Sequence, residues 1–254
     1  MKNIYCLLIV SFLCIFSLLP AGAQTLSEKD FQVLNMNDGL SDNDIHSVAK
    51  DTEGFMWFGT GSGLNRYDGR TFKVFRMPGI SYRRIDRVVS LDTDYLLLRS
   101  EQNLFLFDKK YERFLPVCDS VSKQPVMFAD FVADSDGSCW GVSSGELSEV
   151  NFPSSYVQDT AFVSVRHVVN NSQSDPFVVL CMGEDGKMLY CASRNGTVYR
   201  FTPGQRQLKK VCDGQLSSGR WVSSLLNDDS FIWIPTVGDG LYGYDLTNGK
   251  LHHW

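Results

Sequence analysis

The chain is 254 residues long and carries 24 basic and 29 acidic residues, which gives a formal net charge of −5. A hydrophobic content of 43% and an aromatic content of 13% exclude a disordered chain. The acidic balance argues against a nucleic-acid-binding region, which normally has a basic face. After the N-terminal segment no second apolar run reaches about 20 residues, so a multi-span membrane protein is not expected.

The first predicted element is a secretory signal peptide over residues 1–23. An early Lys is followed by an apolar run and then by the small residues of a cleavage site, Ala21-Gly22-Ala23. We therefore expect an exported chain whose mature form begins at Gln24. The alternative is an uncleaved signal anchor, for which the apolar run is short.

Five cysteines follow the predicted leader, and their spacing suggests no zinc site. They are Cys118, Cys139, Cys181, Cys191 and Cys212. Export makes a disulfide chemically possible. Cys181 and Cys191 flank a turn at residues 184–187, so they could face each other across a hairpin and form a disulfide. The alternative is that all of these cysteines are separate buried thiols.

The rest of the chain is a repeat. An aliphatic residue recurs at intervals of 40 to 51 residues, followed three positions later by an aromatic residue or Val and then by Asp, Asn or Thr. The aliphatic positions are Leu64, Leu104, Leu147, Val198 and Leu241. A bulky apolar residue lies seven or eight positions earlier, at Trp57, Leu97, Trp140, Cys191 and Trp233. Gly54 and Gly137 precede two of the tryptophans and suit a left-handed turn.

Each repeat contains four short strand-like segments separated by turn residues, which is typical of a β-propeller blade. We therefore predict an all-β fold, a propeller with about five four-stranded blades present. The blades are expected at residues 40–78, 82–118, 125–160, 175–212 and 219–254, and residues 31–35 are expected to form a closing strand. Trp57, Trp140 and Trp233 are expected to fill the spaces between neighbouring blades, because large flat side chains pack well between sheets.

The first copy resembles the two-component regulator propeller repeat. The matching segments are Gly39-Leu40-Ser41, Ile45-His46-Ser47-Val48, Asp51-Thr52-Glu53-Gly54-Phe55-Met56-Trp57-Phe58-Gly59-Thr60 and Gly63-Leu64-Asn65-Arg66-Tyr67-Asp68. The resemblance implies the N-terminal periplasmic sensor region of a Bacteroides-type hybrid two-component system. Such a region detects a ligand, often an oligosaccharide, and signals through a membrane helix to a histidine kinase.

The chain departs from that family pattern because kinase and membrane segments are not found in it. Residues 24–254 are also too few for seven blades of about 44 residues each. We therefore interpret the chain as part of a seven-bladed ring in a longer, membrane-anchored sensor. The remaining sensor domains or a homodimer partner would complete it. A complete five-bladed propeller is the alternative.

One segment resembles a catalytic motif, but its predicted structural context does not fit that motif. Gly141-Val142-Ser143-Ser144-Gly145 matches a nucleophile elbow, but it lies between two predicted strands instead of between a strand and a helix. We expect no enzyme activity, no metal and no cofactor in this chain. A five-bladed glycosidase or carbohydrate-binding protein is the alternative function, with Asp44, Asp86 and Asp130 as candidate acid and base groups. A protein-interaction scaffold is a second alternative.

The ligand of a sensor is expected at the loops that enter the first strand of each blade. Arg pairs with sugar carboxylates or sulfates, and an aromatic residue at the rim can stack on a sugar ring. The candidate ligand-binding residues are Asp42, Asn43, Arg83, Arg84, Arg220 and Trp221.

Overall fold

The computed structural model describes residues 32–78, 84–133, 139–153, 156, 159–170, 175–183, 186–214, 216, 220–228 and 230–254. The chain divides into two compact units, Met1–Leu34 and Asn35–Trp254. All the elements below belong to the second unit. The predicted signal peptide and the predicted mature start at Gln24 lie outside the described residues. Within the described ranges, no helix is long and apolar enough to cross a membrane.

The expected closing strand at residues 31–35 is wrong for the part that the structure describes, since residues 32–35 lie in no strand. Asn35 instead caps a 3-10 helix, Met36–Asp38. The Asn35 side chain accepts a hydrogen bond from the backbone N–H of Asn37, and the Asp38 carboxylate accepts one from the backbone N–H of Asn35. These bonds satisfy N–H groups that the first turn of a helix leaves unpaired, so they fix the start of the 3-10 helix after Asn35.

The described unit is all-β, as predicted, and it consists of antiparallel meanders of short strands. The first meander contains β1 (Ile45–Lys50), β2 (Met56–Thr60), β3 (Gly63–Tyr67) and β4 (Phe72–Phe75). The second contains β5 (Arg87–Ser90), β6 (Tyr95–Ser100), β7 (Asn103–Asp108) and β8 (Arg113–Asp119). The third contains β9 (Asp130–Ala133), β10 (Cys139–Ser143), β11 (Glu146–Asn151) and β12 (Ala161–Asn170).

Two more meanders follow. The fourth contains β13 (Phe177–Met182), β14 (Leu189–Ser193), β15 (Val198–Thr202) and β16 (Gln207–Cys212), with a 3-10 turn at Pro203–Gln205 before β16. The fifth contains β17 (Trp221–Val222), β18 (Leu226–Asn227), β19 (Phe231–Val237), β20 (Leu241–Asp245) and β21 (Leu251–His253). The number of blades in a complete ring stays a prediction.

The second and third meanders share one eight-stranded sheet. β12 is ten residues long and has two pairing partners. Its first residues, Ala161–Val163, pair parallel with Val117–Asp119 of β8, and its later residues pair antiparallel with β11. β12 therefore extends beyond the expected blade limit at residue 160 and joins two repeats through backbone hydrogen bonds.

Buried apolar clusters hold all consecutive meanders together, including the second and the third. Strand alternation explains them, because successive side chains of a strand point to opposite faces of the sheet. Leu96 and Leu98 of β6 pack toward the first meander, whereas Leu97 packs toward the third. Each sheet thus presents an apolar face to each neighbour.

The repeat tryptophans lie on these faces. Trp57 is fully buried, and its ring centroid lies 5.8 Å from that of Phe75 and 5.6 Å from that of Phe107 in the second meander. Trp140 is also buried and packs on Phe201 of the fourth meander. Trp233 of the fifth meander is only partly buried. Of the repeat leucines, Leu64, Leu104 and Leu147 are buried and Leu241 is partly buried.

An aspartate at the turn before the tryptophan fixes the indole. The Trp57 Nε1–H donates to Asp51 Oδ2 at 2.8 Å, while the other carboxylate oxygen accepts from the backbone N–H groups of the turn. Trp233 donates in the same way to Asp228 at 2.6 Å. Gly54 completes the first turn with a φ of +93°, a conformation that Gly adopts at little cost. Its counterpart Gly137 lies outside the described residues.

The possible disulfide between Cys181 and Cys191 is not present in the structure: both thiols are free, as the alternative of separate thiols predicts. Cys181 lies opposite Tyr190 on β14, and Cys191 lies opposite Leu180. The two cysteines are therefore one register position apart and point to opposite faces of the same sheet. Burial raises the pKa of both thiols, that of Cys181 to about 12.

Candidate functional site

A cavity of about 460 Å³ lies where strands of different meanders converge. The first, second, third and fifth meanders contribute its polar and aromatic lining. The principal side chains are His46, Asp86, Arg87, Arg99, Asp130 and Trp221. A cavity of this size with a few converging polar groups is typical of a small-molecule site.

Two arginines form a cross-strand pair in this lining. Arg87 on β5 lies directly opposite Arg99 on β6, so their side chains emerge on the same face of the sheet. The neighbouring residues Val88 and Leu98 pack toward the first meander. The arginines therefore point the other way, toward the third meander. Like charges directly opposite each other destabilise a sheet unless anions compensate them.

The buried carboxylate of Asp130 supplies part of that compensation. Asp130 begins β9 and is 7% exposed. Its Oδ1 lies 3.8 Å from Arg87 Nε, and its Oδ2 accepts a hydrogen bond of 3.2 Å from the backbone N–H of Leu180. Burial raises the pKa of Asp130, while Arg87, the Leu180 N–H and Arg99 oppose the increase. Burial also lowers the pKa of Arg99, while the negative charges of Asp130 and Asp86 oppose this decrease.

The second carboxylate, Asp86, is already bound on both oxygens. Arg84 Nε donates to Asp86 Oδ1 at 2.5 Å, and the backbone N–H of Glu101 donates to Oδ2 at 3.1 Å. Among the described residues, Arg99 makes neither a hydrogen bond through its guanidinium nor an ion pair within 4.0 Å. The cavity wall therefore contains one arginine whose donors are free.

Trp221 and Arg220, both predicted ligand-binding residues, begin the fifth meander. Trp221 lines the cavity and is 44% exposed. Arg220 forms an ion pair with Asp239, and that carboxylate also accepts a 2.9 Å hydrogen bond from the Tyr242 hydroxyl. The indole is therefore available to a ligand, whereas the Arg220 guanidinium already has a partner.

The other predicted ligand residues have local roles or lie outside the description. Asp42 accepts hydrogen bonds from the Asp44 backbone N–H at 3.0 Å and from the Ser62 hydroxyl at 2.9 Å. Asn43 accepts one of 3.0 Å from the backbone N–H of Met36. Both side chains hold the loop that enters β1. Arg83 lies outside the described residues.

The candidate acid and base groups of the alternative enzyme hypothesis are only partly brought together. Asp86 and Asp130 line the cavity. Asp44 is adjacent to it, since its Oδ2 lies 3.1 Å from Nε2 of His46, although the pair is not aligned as a hydrogen bond. His46 is thus a cavity residue with an unsatisfied ring nitrogen among the described groups.

The segment that resembles a nucleophile elbow is a β-hairpin. Ser143 ends β10, Ser144 and Gly145 form the turn with φ values of +50° and +85°, and Glu146 begins β11. Gly141 is required for packing, because a Cβ there would lie 2.2 Å from the Phe128 ring. The strand–turn–strand context differs from the strand–turn–helix context of a nucleophile elbow.

Sequence analysis missed the arginine pair. Arg87 and Arg99 are six positions on either side of Thr93, in the turn Asp92–Asp94 between β5 and β6. Symmetric spacing about a hairpin turn places two residues opposite each other. That symmetry was the available signal, and it would have required the hairpin register to be assigned first.

Comparisons with known proteins add to this geometry. Residues 39–62 match the family model of the two component regulator propeller. Histidine kinase P4 of Formosa agariphila is 37% identical over 78 residues, which represent 30% of this chain and 5% of that kinase.

Two solved structures from B. thetaiotaomicron share the fold. The extracellular domain of the hybrid two component system BT3049 matches 87% of this chain and 31% of that chain, with a TM-score of 0.63 and 18% identity. The extracellular domain of BT4673 matches 88% of this chain and 38% of that chain, with a TM-score of 0.57 and 17% identity.

The chain spans about a third of each solved structure and a small part of the kinase. The structural likeness, at this low identity, concerns the fold. The repeat resemblance seen in the sequence is confirmed by the family model, which covers the loop before β1, β1 itself and β2. The chain therefore carries a two-component regulator propeller repeat, in a fold shared with the extracellular domains of these hybrid two-component systems.

Proposed function

We propose that this chain is the extracytoplasmic ligand-sensing region of a hybrid two-component regulator. In this proposal it detects an oligosaccharide in the periplasm and signals to a histidine kinase outside the chain. The observation that carries the proposal is the match of residues 39–62 to the regulator propeller repeat. The 37% identity to a histidine kinase over 78 residues supports the same class of protein.

The ligand is proposed to bind in the 460 Å³ cavity. Its walls offer an aromatic surface at Trp221, which can stack on a sugar ring, and guanidinium groups at Arg87 and Arg99, which can bind hydroxyl or acidic groups. The carboxyl group of Asp130 can accept a hydrogen bond from a sugar hydroxyl. Arg84 and Arg220 are proposed to shape the rim through their aspartate partners.

Such a site is suited to sensing because its residues come from separate meanders. His46 belongs to β1, Arg87 to β5, Asp130 to β9 and Trp221 to β17. A ligand that contacts several of them stabilises one relative placement of the meanders over others. Differential affinity for two arrangements is the physical requirement for a ligand-driven signal.

A thermal-shift screen of the purified chain with a panel of oligosaccharides tests the proposal. We expect at least one class to raise the melting temperature in a concentration-dependent way, because a ligand that binds only the folded state stabilises it. Trp221→Ala should abolish the shift. Tyr111→Ala, which removes an exposed aromatic side chain on the β7–β8 turn, is the matched control and should retain it. A panel without any shift would contradict the proposal.

A glycosidase is the second candidate, because Asp86 and Asp130 line the same cavity and burial raises the pKa of Asp130, as a general acid requires. The two oxygens of Asp86 are already occupied by Arg84 and Glu101. We therefore expect ligand binding without release of reducing sugar. Reducing-sugar release that Asp130→Asn abolishes would instead establish the enzyme.

A further inference from the structure

We propose that the Arg87–Arg99 pair binds an acidic group of the ligand, a carboxylate or a sulfate, so that the oligosaccharide sensed by this chain is an acidic one. This inference rests on the proposed function and specifies the ligand class at the same cavity.

The two arginines lie close together on one wall of the cavity. Arg87 and Arg99 are directly opposite partners in an antiparallel ladder, and both line the cavity. Two guanidinium groups held on one face repel each other, which costs stability in the absence of an anion. A bound anion between or beside them removes that cost, so the site is built to favour negative charge.

The arginines near the cavity outnumber the carboxylates that could pair with them. Three arginines lie near two carboxylates here: Arg84, Arg87 and Arg99 near Asp86 and Asp130, of which all but Arg84 line the cavity. Asp86 is occupied by Arg84 and by a backbone N–H. Asp130 is shared between the Leu180 N–H and Arg87, whose Nε remains 3.8 Å away.

These contacts leave the guanidinium donors of Arg99, and most of those of Arg87, without partners among the described residues. Each guanidinium presents donors in a planar fork that matches the geometry of a carboxylate or sulfate. An exposed arginine would use water as its partner. Arg99 is only partly exposed and lines the cavity. A ligand that enters the cavity would therefore replace the solvent at its free donors.

Neutral sugars provide a weaker match. Hydroxyl groups can accept from an arginine, but they do not compensate the repulsion between two like charges. Trp221, which the fifth meander contributes to the cavity lining, supplies a stacking surface for acidic and neutral sugars alike. Discrimination between acidic and neutral sugars therefore depends on the arginine pair.

The test is isothermal titration of the purified chain with tetragalacturonate, a chondroitin sulfate tetrasaccharide and neutral cellotetraose. We expect binding of a uronate or a sulfated glycan, weakened by raised salt, and at least about 10-fold weaker binding of the neutral glycan. Arg99→Gln should weaken acidic-glycan binding about 10- to 100-fold, since a hydrogen bond to a charged group is lost. The unliganded Arg99→Gln protein should keep the melting temperature of the parent, because removal of the like-charge contact with Arg87 offsets the lost attraction to Asp86 and Asp130.

Arg113→Gln is the matched control, because Arg113 pairs with Asp108 on a different edge of the second meander and does not line the cavity. It should leave affinity unchanged. Binding of the neutral glycan alone, or acidic-glycan binding that survives Arg87→Gln and Arg99→Gln, would overturn this inference and leave the sensor proposal in place. No binding by any of these glycans would reject this inference, while the broader thermal-shift panel would decide the sensor proposal.

Discussion

Replacement of Trp57 by Ala tests whether the repeat tryptophan is a packing element between meanders. The Trp57 side chain is 0% exposed and packs on Phe75 and Phe107. Removing a buried aromatic side chain of this size costs about 3–5 kcal/mol of unfolding free energy. The indole also binds Asp51, which is 5% exposed and would lose one partner. Lys109, 3.6 Å from Asp51, and two backbone N–H groups would remain.

Urea denaturation followed by tryptophan fluorescence and circular dichroism measures this cost. A domain has a total stability of about 5–15 kcal/mol, so Trp57→Ala should lower the midpoint strongly or leave part of the chain unfolded. Trp57→Phe separates the two contributions, because it keeps most of the packing and removes the bond to Asp51, at a cost of about 1–3 kcal/mol.

Trp221→Ala is the control for the loss of a tryptophan, since Trp221 is 44% exposed, and it should change stability by no more than about 0.5 kcal/mol. A loss below about 1 kcal/mol for Trp57→Ala would refute the packing argument. It would mean that the indole contributes little to the contact between the first two meanders.

Four further outcomes are expected. Intact-mass measurement of the exported protein should give a chain that begins at Gln24; retention of the leader would contradict the predicted cleavage. The pKa of Asp51 is held below its ordinary value of 3.8, since hydrogen bonds and Lys109 outweigh the effect of burial, so its contribution to stability is present above that pH and is lost as the pH falls through the folded value. Asp51→Asn should therefore flatten the decline of the urea midpoint below about pH 4, and an unchanged decline would show that Asp51 does not contribute. Thiol titration should find Cys181 and Cys191 reduced in the denatured protein, and a reductant should leave the melting temperature unchanged. The partly buried Trp233 face of the fifth meander should cause concentration-dependent self-association in sedimentation velocity, and a monodisperse monomer would count against it.

The repeat was visible in the sequence because its signals are local. Asp51, Gly54 and Trp57 form one turn and one strand, so their spacing is set by the hairpin itself. Leu97, the repeat position of the second copy, is fully buried together with its neighbours Leu96 and Leu98, so this strand is buried on both faces.

What the sequence did not reveal depends on register and on competing local bonds. Cys181 and Cys191 flank a turn, but a difference of one residue in pairing moves them to opposite faces. Arg87 and Arg99 are opposite for the same reason of register, which spacing alone does not establish. Val33 and Leu34 gave a strand-like pattern, but residues 32–35 lie in no strand, and the 3-10 helix capped by Asn35 follows them directly. The pairing of β12 with β8 joins distant segments and has no local signal.

The shared sheet of the second and third meanders has a mechanical consequence. The other neighbouring meanders are linked mainly by side-chain packing, whereas β8 and β12 are joined by backbone hydrogen bonds at fixed register. Arg87 and Arg99 belong to the second meander and Asp130 to the third, so both meanders of the shared sheet contribute to the cavity lining. The two meanders should therefore move as one rigid body, and native-state hydrogen exchange should show them opening together. We therefore expect a displacement produced at the cavity to alter the contacts that these two meanders make with the first and the fourth meander.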